Sequence, residues 1–143
     1  VEFNIITFSG KVKKWSPSVQ AATDRHIESA KRFVKRATIA KDGTNTVDAL
    51  STALKDQKVQ SIYFLSDGHP TQGLIQDNAG ILRHIARLKG KRSISIHTIA
   101  YLKGEPPKRW KHLVPAKKSL ISLMKSLADQ NGGSSVVFDE DDE

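Results

Sequence analysis

Two short, nearly uncharged runs constrain this chain more than anything else in it. Gln60-Ser-Ile-Tyr-Phe-Leu-Ser66 and Ser93-Ile-Ser-Ile-His-Thr-Ile-Ala100 are short and rich in β-branched and aromatic residues, which marks them as strands. Between them Ile81, Leu82, Ile85 and Leu88 recur at helical spacing, in a helix that begins at Asp77 or Asn78 and ends at Gly90. Strand, helix and strand at this spacing predict a crossover between parallel neighbours, which is right-handed in nearly all folds. The near-continuous apolar character of residues 60–66 reads as a strand buried on both faces.

The flanking segments extend the pattern. Phe3-Asn-Ile-Ile-Thr-Phe-Ser9 is closed by Gly10, and Val12 to Trp15 follows at once and stops at Pro17, which reads as a hairpin with a short edge strand. Thr23 can cap a helix carrying Ile27, Ala30, Phe33, Val34 and Ala37 on one side. A turn at residues 41–44 precedes a shorter helix over Val47 to Leu54. Leu102 to Lys117 reads as a long basic loop, Ser119 as the start of a helix that Gly132-Gly133 ends, and Val136 to Phe138 as a last strand. Together these predict one α/β domain over residues 1–138, Rossmann-like. Its central sheet is mainly parallel with one antiparallel edge strand, and helices lie on both faces. Residues 139–143 read as a disordered acidic tail.

Charge sharpens what such a domain can meet. The net charge is +8, but the tail holds five of the fifteen acids, so residues 1–138 stand at +13. Residues 83–118 hold eleven Lys or Arg and one acid, Glu105, a stretch suited to phosphates or an acidic partner surface. The aromatic residues, 6% of the chain, do not interleave with the basic ones as a base-stacking platform requires. With no cysteine the chain has no disulfide, thiolate metal site or catalytic thiol, which leans toward an intracellular setting. No stretch approaches the ~20 apolar residues of a membrane span.

In an open parallel sheet ligands gather beyond the carboxyl ends of the strands. Asp67 directly follows the most apolar strand, in the polar loop Asp67-Gly-His-Pro-Thr-Gln-Gly73. A carboxylate there suits a hard cation that takes oxygen ligands, and Thr44 in Gly43-Thr-Asn-Thr46 could add a hydroxyl. The same residues suit a plain structural role, with Asp67 capping a turn and Thr44 or Thr46 capping a helix.

These motifs carry a resemblance. Phe3–Ser9, Asp42-Gly-Thr-Asn-Thr46 with Ala49-Leu50, and Ile62-Tyr-Phe-Leu-Ser-Asp-Gly-His-Pro-Thr71 occur in the order found in von Willebrand factor type A domains. Ile94–Ala100 and Leu127–Phe138 are similar to that family's last elements. The resemblance implies a protein-interaction module with a metal-ion-dependent adhesion site for Mg²⁺ or Mn²⁺. Thr44 and Asp67 would be metal ligands, Gly43, Gly68, His69 and Thr71 would line the partner-binding rim, and an acidic group of the partner protein would complete the shell. The chain departs from the family in having no Asp-x-Ser-x-Ser anywhere, and no counterpart of the first strand and first helix. That strand is central in the family, between the strands matched by Phe3–Ser9 and Gln60–Ser66. The domain is therefore expected to be incomplete as given, with a strand-loop-helix segment of roughly 30 residues supplied by upstream sequence or another chain, and the metal bound only then.

An enzyme is not expected. No Gly-x-Ser-x-Gly, P-loop or Gly-x-Gly-x-x-Gly occurs, and the five histidines have no metal-binding spacing. The competing function is binding of RNA or DNA through the 83–118 region, with Lys108, Arg109, Trp110 and Lys111 as its contacts. Nucleic-acid binding of that kind is steeply salt-dependent and is lost on replacing Arg109, Trp110 and Lys111 together. A filter-binding titration at two salt concentrations tests it, and an affinity indifferent to the replacement excludes it.

Overall fold

The computed structural model describes residues 1–37, 42–102 and 114–139. The predicted crossover is its centre. Strand β5 (Ser61–Ser66) runs parallel to β6 (Ser95–Leu102), with Ile62 beside Ile96, Phe64 beside Thr98 and Ser66 beside Ala100. Strand β7 (Ser135–Asp139) adds to the other side of β6, also parallel, giving the sheet order β5-β6-β7.

Helices α2 (Thr46–Leu54), α3 (Asn78–Lys89) and α4 (Val114–Gln130) pack on one face of this sheet. Leu50, Leu54, Ile81, Ile85, Leu123 and Leu127 meet Ile62, Phe64 and Ile96 in a single core. The Thr98 hydroxyl, itself buried, donates to the Met124 carbonyl at 2.8 Å and ties the middle strand to α4. The strand over 60–66 is thus not buried on both faces as its composition suggests. Ile62, Phe64 and Ser66 point into the core, whereas Tyr63 stays 68% and Leu65 58% exposed. The cause is that all three helices pack on the other side, and a period-2 strand covered once must leave alternate residues out. By the register of the ladders Ile99, Tyr101, Val136 and Phe138 share that outer face.

The N-terminal segment forms two small antiparallel pairs. Strands β2 (Ile6–Phe8) and β3 (Val12–Lys14) make the predicted hairpin. The run Phe3–Ser9 is nevertheless broken, because β1 (Glu2–Phe3) pairs with β4 (Gln20–Ala21), a strand the sequence did not suggest. Asn4 causes the break. Its side chain accepts from Ile5 N at 2.8 Å and Ser16 N at 3.2 Å and donates to Ser16 O at 2.8 Å, replacing ladder bonds by its own. Helix α1 (Asp24–Lys35) starts at the expected cap, where Thr23 accepts from His26 N at 3.2 Å. Trp15 docks on it, with Nε1 donating to Ser29 Oγ at 3.2 Å and its ring stacked on Phe3.

Among the described residues β2 and β5 belong to different sheets and share no ladder. Their link is a stack of Phe8 on Phe64, with ring centres 5.3 Å apart. Helix α4 begins at Val114, not at Ser119. Pro115 falls in its first turn, where the missing N–H costs nothing, so part of the expected basic loop is helix. Strand β7 reaches Asp139, whose carboxylate pairs with Lys117 at 2.7 Å.

The two glycines after α4 differ in role. Gly132 has φ +63° with open space around it, whereas a Cβ on Gly133 would fall on the Ile96 carbonyl of β6. The Gly133 N–H donates to Ala128 O at 3.0 Å and closes the helix end. Gly133→Ala should therefore destabilise by about 1–3 kcal/mol or more through overpacking. Gly132→Ala should cost only about 1–2 kcal/mol of left-handed strain, largely recovered by Gly132→Asn. Urea unfolding of the three variants checks the order.

Candidate functional site

The site is made where three chain segments meet beyond the carboxyl ends of the parallel strands. The first is the end of β2, the second is the stretch from Asp42 into α2, and the third is the loop after β5. Backbone bonds stitch them. Asn45 N donates to Ser9 O at 2.8 Å, and Thr71 N and Gln72 N both donate to Thr44 O, at 3.0 and 3.1 Å. Thr44 N in return donates to Thr71 Oγ1 at 2.9 Å, so Thr44 and Thr71 clasp each other across 27 residues.

Glycine makes this approach close. Gly43 sits at φ +111°, and a Cβ there would collide with Gln72 and Thr71. A Cβ on Gly68 would lie 2.9 Å from Thr44 Oγ1, so the bare backbone beside Asp67 is what admits the Thr44 hydroxyl. Gly43, Thr44, Gly68 and Thr71 are thereby brought together, with Asp67 at the adjoining position. The Asp67 side chain is exposed, and among the described residues neither its carboxylate nor Thr44 Oγ1 has a hydrogen-bond or ion-pair partner. His69 is half-buried with Nδ1 shielded and unpartnered, and the buried Thr46 Oγ1 is likewise unpartnered. Lys108, Arg109, Trp110 and Lys111 lie outside the described residues.

The capping roles fall on different residues from those the sequence suggested. Asn45, not Thr44 or Thr46, caps α2 by accepting from Asp48 N at 3.2 Å, and it also donates to Asp48 Oδ2 at 2.7 Å. Asparagine is the stronger cap, and the Asn-Thr-Val-Asp spacing was the available signal. The turn after β5 is held by Ser66, not Asp67. Ser66 Oγ donates to Gly68 O at 3.0 Å and receives Gly68 N at 3.4 Å. Both corrections leave the Thr44 hydroxyl and the Asp67 carboxylate without a structural bond among the described residues.

Asp42 was not singled out by sequence. Its carboxylate accepts from Gly10 N at 3.2 Å, and this bond, with help from the Ser9 hydroxyl, holds its pKa below the usual aspartate value. A depressed folded-state pKa adds stability above the unfolded pKa and loses it as pH falls through the folded one.

Donor chemistry and donor number give different answers on a metal. A carboxylate and a hydroxyl are the oxygen ligands Mg²⁺ prefers, but a magnesium shell takes six oxygens. Among the described residues no group of three or more Asp, Glu, His or Cys converges anywhere. The residues present fit part of a hard-cation site, not a whole one.

The chain is similar to several known proteins. The von Willebrand factor type A domain family matches residues 1–114. Human von Willebrand factor A domain-containing protein 3B is 34% identical over 71 residues, half of this chain and 5% of that protein. Human von Willebrand factor A domain-containing protein 3A is 23% identical over 131 residues, 92% of this chain and 10% of that protein. The chain thus spans a small fraction of the length of these relatives. A crystal structure of an aerotolerance-related membrane protein from Bacteroides fragilis superposes with a TM-score of 0.63 at 15% identity. It covers 97% of this chain and 72% of its own, which shows a shared fold. Among the described residues no helix is long and apolar enough to cross a membrane.

Replacing Asp42 by Asn should lower the urea midpoint near neutral pH, and the difference should shrink as the pH falls below the ordinary aspartate value toward about 2. Unfolding curves of the two proteins at both pH values check it.

Proposed function

The chain belongs to the von Willebrand factor type A family, a family of protein-interaction modules, and we propose that its Thr44–Asp67 rim binds an acidic group of a partner protein through a divalent cation. The observation that carries this reading is the pair itself. A hydroxyl and a carboxylate, both without a partner among the described residues, come from adjoining chain positions that a clasp of hydrogen bonds and two glycines hold together. A hydroxyl at the entry to a helix and a carboxylate at the end of a strand, neither used by its own loop, are poised for an outside ligand. Mg²⁺ or Mn²⁺ would take Thr44 Oγ1 and an oxygen of Asp67, directly or through a water. Gly43, Gly68, His69 and Thr71 would border the partner's acidic side chain. The open coordination position would make the site a recognition site and not a closed structural one.

The missing ligands come, on this reading, with a strand-loop-helix segment from elsewhere in the parent protein or from another chain. The outer edge of β5 supports that. Ser95 N donates to Gln60 O and Thr98 N to Ser134 O, so by the alternation of parallel ladders the backbone groups of Ser61, Tyr63 and Leu65 face away from β6. That edge carries no charge, proline or bulge of the kind that normally guards a free strand. Tyr63, Leu65, Tyr101 and Phe138, exposed on the outer face of the same sheet, are the surface a helix would cover.

In the parent protein, chelation by EDTA and Asp67→Ala should each weaken partner binding at least tenfold. Mn²⁺ should broaden the amide resonances of Thr44 and Gly68, and Asp67→Ala should abolish the broadening. Binding indifferent to both treatments would mean a metal-free scaffold. The Tyr63 and Leu65 amides should exchange rapidly in this chain alone and slowly in the parent, and equal rates would exclude strand addition at β5.

A further inference from the structure

Away from the rim, α3 borders an open hollow of about 290 Å³ lined by Ile75, Asp77, Gly80, Arg83, His84 and Arg87. Gly80, Arg83 or His84, and Arg87 fall one turn apart along one side of the helix. Gly80 forms the floor, for a Cβ there would lie 2.5 Å from Asp77 Oδ2 and 2.6 Å from Ile75 Cγ2. The absence of a side chain at Gly80 thus lets Ile75 and Asp77 close one end of the hollow.

We propose that this hollow is an anion site that takes a phosphoryl group. Arg83 and Arg87 are exposed, stand four residues apart, and have no hydrogen-bond or ion-pair partner among the described residues. Like charges at that spacing repel and are relieved by an anion between them. The acid in the hollow is Asp77. Its Oδ1 accepts from Gly80 N at 2.6 Å as the cap of α3, which leaves a net positive wall and directs an anion toward the arginine end.

His84 completes the wall. The Ser51 hydroxyl gives its proton to Val47 O at 2.6 Å, so the 3.2 Å contact between Ser51 Oγ and His84 Nε2 must be donated by the imidazole. The ring is therefore anchored through Nε2 and serves as a fixed side of the hollow, while the two arginines supply the donors to the anion. Two guanidinium forks one turn apart suit a tetrahedral dianion with several free oxygens. A planar carboxylate is satisfied by one fork.

The test is a titration of the chain, followed by amide NMR shifts, with inorganic phosphate, a phosphoserine peptide and the same peptide with glutamate in place of phosphoserine. Shifts should concentrate at residues 75–87. The double variant Arg83→Gln, Arg87→Gln should bind at least tenfold more weakly with an unchanged melting curve, and Lys91→Gln should bind as the unsubstituted chain does. Arg83→Lys with Arg87→Lys, which keeps charge but loses the forks, should not restore affinity. A phosphopeptide that binds more tightly than inorganic phosphate identifies a protein-borne phosphoryl group, and equal affinities identify the free ion. Equal binding of the glutamate peptide, equal losses in the Lys91 variant, or unchanged binding by the arginine-to-glutamine variant would each overturn the proposal.

Discussion

The parallel ladder between β5 and β6 is the interaction on which the rest of this structure depends. It aligns Ile62 with Ile96 and Phe64 with Thr98, and so creates one apolar surface for α2, α3 and α4 to cover. Parallel pairing also demands a crossover, and α3 is that crossover. The tight approach of Gly133 to Ile96 then brings β7 against β6, where any side chain at 133 would collide with the strand.

The same ladder decides where chemistry can occur. Strands that run in one direction end at one rim, and the loop after β5 arrives there beside the entry to α2. The mutual clasp of Thr44 and Thr71 makes two loops into one platform. Asn45 and Ser66 carry out the capping and turn bonds, which leaves the Thr44 hydroxyl and the Asp67 carboxylate without such a bond among the described residues. The division of labour within each loop, a structural residue next to an unpartnered one, is the physical basis for reading the rim as a binding site.

Much of this was legible in the sequence because it is local. The caps at Thr23 and Asp77, the stop at Gly90 and the period-2 and helical runs depend on neighbours a few residues away. The Thr44 and Asp67 loops could be singled out for the same reason, as each follows or precedes a regular element. What misled were places where a distant group intervenes. Asn4 bonds Ser16 and splits a strand that its composition makes continuous. Tyr63 and Leu65 look like core residues, yet the side of the sheet that the helices cover is settled by packing, not by β5 itself.

The sequence by itself determined the elements, their order and the α/β class, because hydrophobic period and capping chemistry act over one or two turns of chain. It also placed a carboxylate and a hydroxyl next to strand and helix ends. Only the tertiary structure decided that Thr44 reaches Gly68 and that Tyr63 and Leu65 stay exposed on one sheet face. It alone also decided that the Arg83–Arg87 side of α3 borders a hollow with His84 locked against Ser51. Each of those requires residues far apart in sequence to meet, and such meetings are set by packing geometry that no local pattern encodes.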